Sequence, residues 1–172
     1  MADIIPFDPV LHLDEFRQMN IETNVWHWEQ VWENHQMDVG SILGQTPQEY
    51  VDNHLSFYTN LHPPKGSIYM IDVDGDIAGM GTIKKLRDDV GELKRMYTYP
   101  RYRRRGYARQ MLNNLLEAGR EFGCTSFLLD TARFSVAHHL YRSAGFKEID
   151  PYPESEIPQE LWQHWYFMEK KE

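Results

Sequence analysis

The chain has 172 residues, 26 acidic against 18 basic side chains, and a formal net charge of -8 at pH 7. This length suits one globular domain with a complete core, so we expect a single domain over residues 1–172. The acidic balance disfavours a general surface for polyanions such as nucleic acid.

The lone cysteine, Cys124, permits no internal disulfide, which is typical of a reducing compartment. The segment MADIIPFDPV lacks the basic and apolar regions of a signal peptide. No apolar run approaches the roughly 18 residues that span a bilayer. We therefore expect a soluble cytoplasmic protein without a membrane partner.

The first 60 residues predict mostly helices. The stretch PVLHLDEFRQMNIETNVWHWEQVW has apolar residues at helical spacings, and Thr46-Pro47 suits the start of a second helix. Trp26, Trp28 and Trp32 favour packing between these helices and a sheet. The alternative is that some of them, with Tyr58, line a pocket and hold an amine's cation over an aromatic face.

The pattern then changes to strands. Two apolar runs flank Asp74-Gly75, which predicts a hairpin because glycine tolerates the positive φ of a tight turn. GELKRMYTY predicts a third strand, ended by Pro100. Residues 107–122 return to the helical period, with one apolar stripe formed by Ala108, Met111, Leu112, Leu115, Leu116 and Phe122.

The remaining segments complete a sheet. TSFLLDT predicts a strand that is buried on both faces. Ser135 suits the N-cap of a short helix that stops at Gly145. FKEID and HWYFMEKK predict two last strands, separated by the proline-rich PYPESEIPQ. Together these elements predict a mixed α/β sheet flanked by helices.

Five arginines fall within nine positions of RYRRRGYARQML, residues 101–112. A strand, a turn with Gly106 and a helix start bring unpaired N–H groups and the positive end of a helix dipole to one point. Such a site suits one pyrophosphate better than a duplex, whose charges need an extended basic stripe. The alternatives are a solvated surface loop and a nucleic-acid contact.

Two motifs resemble those of the GNAT N-acetyltransferase superfamily. RRRGYA is similar to the family pattern Arg/Gln-x-x-Gly-x-Gly/Ala, on Arg103, Gly106 and Ala108. AHHLYRSAGF resembles a second signature, on Ala137, Leu140, Tyr141, Gly145 and Phe146. Phe134 stands where the family usually has Asn.

The resemblance implies a mostly antiparallel sheet with a V-shaped splay, and acetyl-CoA as co-substrate. The diphosphate would lie on the backbone amides of residues 104–109, and the pantetheine arm beside the strand that contains Met96. The residues that the resemblance assigns to acetyl-CoA are Met96, Tyr97, Thr98, Arg103, Arg104, Arg105, Gly106, Tyr107, Ala108, Arg109, Ala137 and Tyr141.

Acetyl transfer to an amine needs a proton acceptor, because an alkyl amine with a pKa near 10.4 is protonated at neutral pH. Glu92, eleven residues before Arg103, resembles the catalytic glutamate of the histone-acetylating branch. Another carboxylate, a water chain or a purely structural Glu92 are the alternatives. Tyr141 is expected near the sulfur, where its hydroxyl stabilises the departing thiolate.

The resemblance therefore implies an enzyme that moves an acetyl group from acetyl-CoA to a primary amine by direct attack in a ternary complex. The amine can belong to a small molecule or to a protein, and the chain can be a monomer or a homodimer. The alternative is a non-catalytic module that binds acyl-CoA. Adjacent His138 and His139 point to different sides of a helix, so no metal site is expected.

Overall fold

A computed structural model describes all residues from Met1 to Glu172. The seven strands are β1 Ala2–Pro6, β2 Gly66–Val73, β3 Asp76–Arg87, β4 Val90–Thr98, β5 Ser126–Ala132, β6 Lys147–Ile149 and β7 Trp165–Lys171. The five α-helices are α1 Leu13–His35, α2 Val39–Leu43, α3 Pro47–Thr59, α4 Tyr107–Glu121 and α5 Ala137–Ser143. Two 3-10 helices, Pro100–Tyr102 and Gln159–His164, complete the secondary structure.

The strands form one sheet in the order β1-β2-β3-β4-β5-β7-β6. Every neighbouring pair is antiparallel except β4 and β5, which are parallel. Helices cover the sheet, so the predicted mixed, mostly antiparallel sheet flanked by helices is confirmed. None of the helices combines the length and the apolar character needed to cross a membrane.

Most of the predicted elements form where the sequence placed them. The β2–β3 hairpin turns at Asp74 and Gly75, with φ of 55° and 94°. At α3, Thr46 is the N-cap, Pro47 follows it, and Glu49 completes a capping box. The predicted stripe of α4 packs on the sheet, where Met111, Leu112 and other members are buried.

Two local predictions were wrong. Residues 2–6 form a strand rather than part of a helical region, and they pair with β2 at the edge of the sheet. An edge strand tolerates Pro6, whose missing N–H faces away from the ladder. The N-cap position of α5 is Val136 rather than Ser135, although the Ser135 hydroxyl accepts a hydrogen bond from the Ala137 N–H at 3.2 Å.

The two central strands separate after a short parallel pairing. Val90, Gly91 and Glu92 pair with Ser126, Phe127 and Leu128, and no pair follows. On its other side, β4 carries one more residue than β3 between the pairs Met80–Tyr97 and Thr82–Lys94. This bulge contains Arg95, which has a φ of 55°. The β5-facing edge of β4 is therefore open from Leu93 to Thr98.

Candidate active site

The turn that leads into α4 presents a row of unpaired backbone donors. Arg104 and Gly106 have positive φ values of 61° and 85°, and Gly106 is the N-cap of the helix. None of the six N–H groups from Arg104 to Arg109 donates a hydrogen bond within the chain. Since this turn also lies at the positive end of the α4 dipole, it is suited to hold an anion.

The arginines of this turn have different environments. The Arg103 side chain folds back and its Nε donates to the Thr98 carbonyl at 2.9 Å, so it braces the turn. Arg109 donates to the hydroxyl of Ser143, which joins the start of α4 to α5. Arg104 and Arg105 are exposed and make no ion pair with the chain. These two side chains are free to contact an anion on the turn.

The strand residues expected along the pantetheine arm lie on the open edge of β4. Met96 lines a cavity between the separated strands. The Tyr97 hydroxyl donates to Glu22 on α1 at 3.0 Å, and burial together with this contact raises the pKa of Tyr97 to about 12. The Thr98 carbonyl is already occupied by Arg103.

A cavity of about 200 Å³ occupies the space where β4 and β5 diverge. Its walls come from α1, α2, α3, β4, β5 and the segment 156–165. Ala137 and Tyr141 of α5 form part of its lining. The Tyr141 hydroxyl lies 3.7 Å from Met96 Sδ, and burial, with a smaller contribution from the charge of Asp130, raises the pKa of Tyr141 well above its ordinary value.

The structure places Glu92 outside this cavity. Its carboxylate is 0% exposed, and it lies 3.1 Å from Lys84 Nζ and 3.8 Å from Lys94 Nζ. The Tyr152 hydroxyl donates to Glu92 Oε1 at 2.7 Å. A carboxylate enclosed by two lysines and a phenol has no path to an acceptor amine, so its position counts against the direct base role expected from the sequence.

Two other carboxylates line the cavity. Glu156 Oε1 accepts from the Tyr58 hydroxyl at 2.9 Å, and its oxygens also lie within 3.6 Å of Lys84, Lys94 and Arg95. Burial alone would raise the pKa of Glu156, but these cations lower it far below its ordinary value.

Asp130 of β5 uses only one of its oxygens within the chain. Oδ2 receives the Ser155 hydroxyl at 3.1 Å and lies 3.5 Å from Lys94 Nζ. Tyr152 approaches the same oxygen at 3.4 Å. Oδ1 has no partner within the chain, so it is free to contact a molecule in the cavity.

His27 of α1 brings an imidazole to the opposite wall. Its Nδ1 lies 2.7 Å from the Thr23 carbonyl, which can only accept, so Nδ1 bears the proton and Nε2 has a free lone pair. The rings of Trp26, Phe134 and Trp165 surround it. Burial lowers the pKa of His27, so the ring is neutral at neutral pH.

The sequence left two roles open for the tryptophans, which were packing against the sheet or lining a pocket. Trp28 lines the cavity and contacts the Tyr50 ring edge-on. Trp26 packs edge-on against His27 and Phe134, as expected for a packing residue, although it is 43% exposed, whereas Trp32 is 53% exposed. Tyr58 is buried behind the cavity wall, with the Arg95 guanidinium over its ring at 4.6 Å.

Sequence reasoning missed His27, Lys94, Arg95, Asp130 and Glu156. A signal was present for three of them, because charged residues inside strands that are otherwise apolar must find partners when they are buried. Asp130 interrupts TSFLLDT, and Lys94-Arg95 interrupt GELKRMYTY. His27 and Glu156 carry no local signal, since their partners are distant in sequence.

Sequence comparison identifies the family. The profile of the acetyltransferase (GNAT) family matches residues 22–146. The uncharacterized N-acetyltransferase YedL of Escherichia coli is 32% identical over 117 residues, covering 66% of this chain and 72% of that protein. The uncharacterized N-acetyltransferase YsnE of Bacillus subtilis is 30% identical over 132 residues, covering 66% and 87%.

Solved structures share the fold. The PaiA N-acetyltransferase of Thermoplasma acidophilum, in complex with coenzyme A, aligns with a TM-score of 0.70 at 17% identity, over 100% of this chain and 99% of that one. The acetyltransferase YncA of Salmonella typhimurium, with acetyl-CoA, also gives 0.70 at 17% identity, over 99% and 93%. The chain belongs to the GNAT family of acetyltransferases, and it is an acyltransferase enzyme.

Proposed function

We propose that this single domain transfers an acetyl group from acetyl-CoA to a primary amine by direct attack in a ternary complex. The observation that carries the proposal is the row of six unpaired N–H groups from Arg104 to Arg109 beside the open edge of β4. An anionic diphosphate on this row would leave the pantetheine arm along Met96, Tyr97 and Thr98. The coenzyme A complex of the PaiA relative supports the same donor.

The cavity supplies the chemistry that the amine needs. Bound acetyl-CoA provides the thioester. The ammonium of the acceptor gives a proton to His27 Nε2. This transfer is uphill, because the pKa of the amine is near 10.4 and that of His27 is lowered, and it is drawn forward as the freed lone pair on nitrogen forms the bond to the carbonyl carbon. The C–S bond then breaks with its electron pair on sulfur, the second proton of the nitrogen passes to the thiolate, and His27 releases its proton to solvent. The products are the amide and the thiol of coenzyme A.

Tyr141 acts on the leaving group. A phenol with a pKa above 10 gives its proton uphill to a thiolate near 8.5. The raised pKa of Tyr141 widens this gap. The hydroxyl therefore stabilises the thiolate by donating a hydrogen bond and keeps its own proton. A backbone N–H near Tyr97 would stabilise the oxyanion that forms on the thioester carbonyl.

Glu92 acts in this proposal as a positioning residue. Its carboxylate holds Lys94, which lines the cavity, and Lys84, which lies behind it, and these lysines in turn contact Glu156 and Asp130. The alternative, in which Glu92 itself receives the amine proton, requires the network to open.

The test is release of coenzyme A thiol from acetyl-CoA with a panel of polyamines, aminoglycosides, amino acids and peptides with free N-termini. The proposal expects release that depends on both acetyl-CoA and one class of amine. Binding of acetyl-CoA without thiol release for any amine would contradict catalysis and support the non-catalytic module. Absence of binding would contradict the donor site as well.

A further inference from the structure

The cavity between β4 and β5 is lined by equal numbers of positively and negatively charged side chains. Lys94 and Arg95 supply two cations to its lining, while Asp130 and Glu156 supply two anions. A polyamine would favour an excess of carboxylates, and a dianion would favour an excess of cations. A lining with equal numbers of cations and anions instead matches a molecule that carries one positive and one negative charge.

Arg95 has hydrogen-bonding capacity to spare. The bulge in β4 turns its guanidinium over the rings of Tyr58 and Tyr50, at 4.6 and 5.7 Å. Its one contact with a carboxylate, to Glu156 Oε2, is 3.4 Å, longer than the 2.7–2.9 Å typical of a charge-assisted hydrogen bond. The planar fork of arginine suits a carboxylate that approaches from the cavity.

Asp130 supplies the complementary group. Its Oδ1 is free, whereas all its contacts within the chain use Oδ2. Contacts of 3.5 and 3.6 Å through Lys94 Nζ connect Asp130 to Glu156, which in turn touches Arg95. The free carboxylate oxygen and the guanidinium therefore belong to one compact cluster.

The rest of the wall is apolar. Trp28, Leu43 and Leu161 line the part of the cavity formed by the helices and the segment before β7. A volume of about 200 Å³ suits a small molecule rather than a long flexible chain.

We propose, on the basis of the proposed acetyl transfer, that the acceptor is a free α-amino acid with an apolar side chain. Its ammonium contacts Asp130 Oδ1, its carboxylate contacts the Arg95 guanidinium, and its side chain lies against Trp28, Leu43 and Leu161. The acidic envelope of the chain does not select the substrate, because the cavity lining itself is neutral.

Matched acceptors test this substrate class on the unmodified protein. Leucine, leucinamide and 3-methylbutylamine share the apolar side chain, and only leucine carries a carboxylate. Phenylalanine, phenylalaninamide and 2-phenylethylamine form a second series. Because hydrogen bonds to charged groups contribute strongly, we expect kcat/KM for the amino acid to exceed that of both its analogues by at least about tenfold.

Two variants locate the carboxylate contact. Arg95→Gln should raise the KM of the amino acid by about tenfold, reduce its advantage over the amine, and leave the Kd of acetyl-CoA unchanged. Arg95→Lys keeps the charge without the fork and should give an intermediate preference, which guards against simple misfolding. The control is Arg133→Gln, whose arginine pairs with exposed Glu148 away from the cavity.

The outcomes separate the two proposals. If the amine or the amide is used as well as the amino acid, the zwitterion proposal is overturned while acetyl transfer stands, and a preference for the amide would indicate peptide N-termini. If acetyl-CoA binds but no apolar amino acid is acetylated, the substrate class is again overturned. If acetyl-CoA does not bind, the proposed function itself fails.

Discussion

Tyr141 lines the cavity beside the open edge of β4, along which we propose that the pantetheine arm lies, and its hydroxyl contacts Met96 with no stronger acceptor within the chain. We predict that Tyr141→Phe lowers kcat by about tenfold to 100-fold, because a hydrogen bond to a thiolate is lost. The Kd of acetyl-CoA should not change. Steady-state kinetics and calorimetry measure the two quantities.

The matched control is Tyr166→Phe. The Tyr166 ring lies beneath the guanidinium groups of Arg133 and Arg142, away from the cavity. This variant should keep both kcat and Kd. An unchanged kcat in Tyr141→Phe would remove Tyr141 from the mechanism.

His27 must be neutral to accept a proton. Since burial lowers its pKa, we predict that the activity of the wild-type protein persists to pH values below 6.5 and is then lost as the ring becomes protonated. His27→Gln should reduce kcat by about 100-fold and abolish this acidic limb. The measurement is a pH profile of kcat.

His139→Gln serves as the control, because His139 is exposed on α5 and does not line the cavity. It should reproduce the wild-type profile. A His27→Gln variant that keeps the same acidic limb would show that another group receives the proton.

A substitution at Glu92 tests whether its buried ion pairs with Lys84 and Lys94 stabilise the protein. We predict that Glu92→Gln destabilises the protein by about 3 kcal/mol, because Lys84 and Lys94 lose a buried counter-charge. Urea unfolding measures the free energy of unfolding. Glu148→Gln removes the exposed pairs with Arg133 and Arg142 and should cost less than about 1 kcal/mol.

Equal effects of the two substitutions would contradict the structural role of Glu92. The catalytic alternative has a different signature. If Glu92 receives the amine proton directly, Glu92→Gln loses rate in a way that rising pH partly restores, because free amine then becomes available without a base.

Among individual site residues, those that belong to local motifs could be predicted from the sequence. Gly106 and Tyr141 could be identified because neighbouring residues form a recognisable pattern around them. Arg95, Asp130 and Glu156 could not, because their roles depend on contacts between β4, β5 and the segment before β7. The sequence suggested Glu92 by its spacing, but spacing along a strand does not reveal that Lys84, Lys94 and Tyr152 enclose the carboxylate.

At the scale of elements, the turn into α4 depends on Gly106. Its φ of 85° costs a residue with a side chain about 1–2 kcal/mol, although no atom lies within 4 Å of the position that a methyl group would occupy. We predict that Gly106→Ala lowers stability by this amount. It should also weaken acetyl-CoA binding by about tenfold, because relief of the strain moves the N–H groups.

Gly123 provides a close control. It follows the other end of α4, has a φ of 87°, and likewise has open space where a methyl group would lie. Gly123→Ala should lose similar stability and keep its affinity for acetyl-CoA. Equal affinity in both variants, measured by calorimetry, would contradict a specific role for the Gly106 turn.

The helices and strands could largely be predicted, because the spacing at which apolar residues recur distinguishes α4 from the strands on either side. The edge strand β1 was missed, because the residues around it predict helices and its pairing partner β2 is distant in the sequence. The bulge at Arg95 was also missed. Its positive φ occurs at a residue that rarely adopts this conformation, so no residue preference indicates it.

At the scale of the whole molecule, the separation of β4 from β5 creates both halves of the proposed site. The open edge of β4 is where we propose that acetyl-CoA binds, and the same gap contains the cavity in which we propose that the acceptor lies. The fold class could be predicted from the sequence of elements. The order in which β7 inserts between β5 and β6 could not, because it depends on pairing between distant segments.

Titration of the ¹⁵N-labelled protein with acetyl-CoA tests directly whether the turn into α4 binds the diphosphate. We predict saturable binding, with the largest amide shifts at residues 104–109 and further shifts along the open edge of β4. Absence of binding, or binding that leaves the amides of residues 104–109 unshifted, would contradict it.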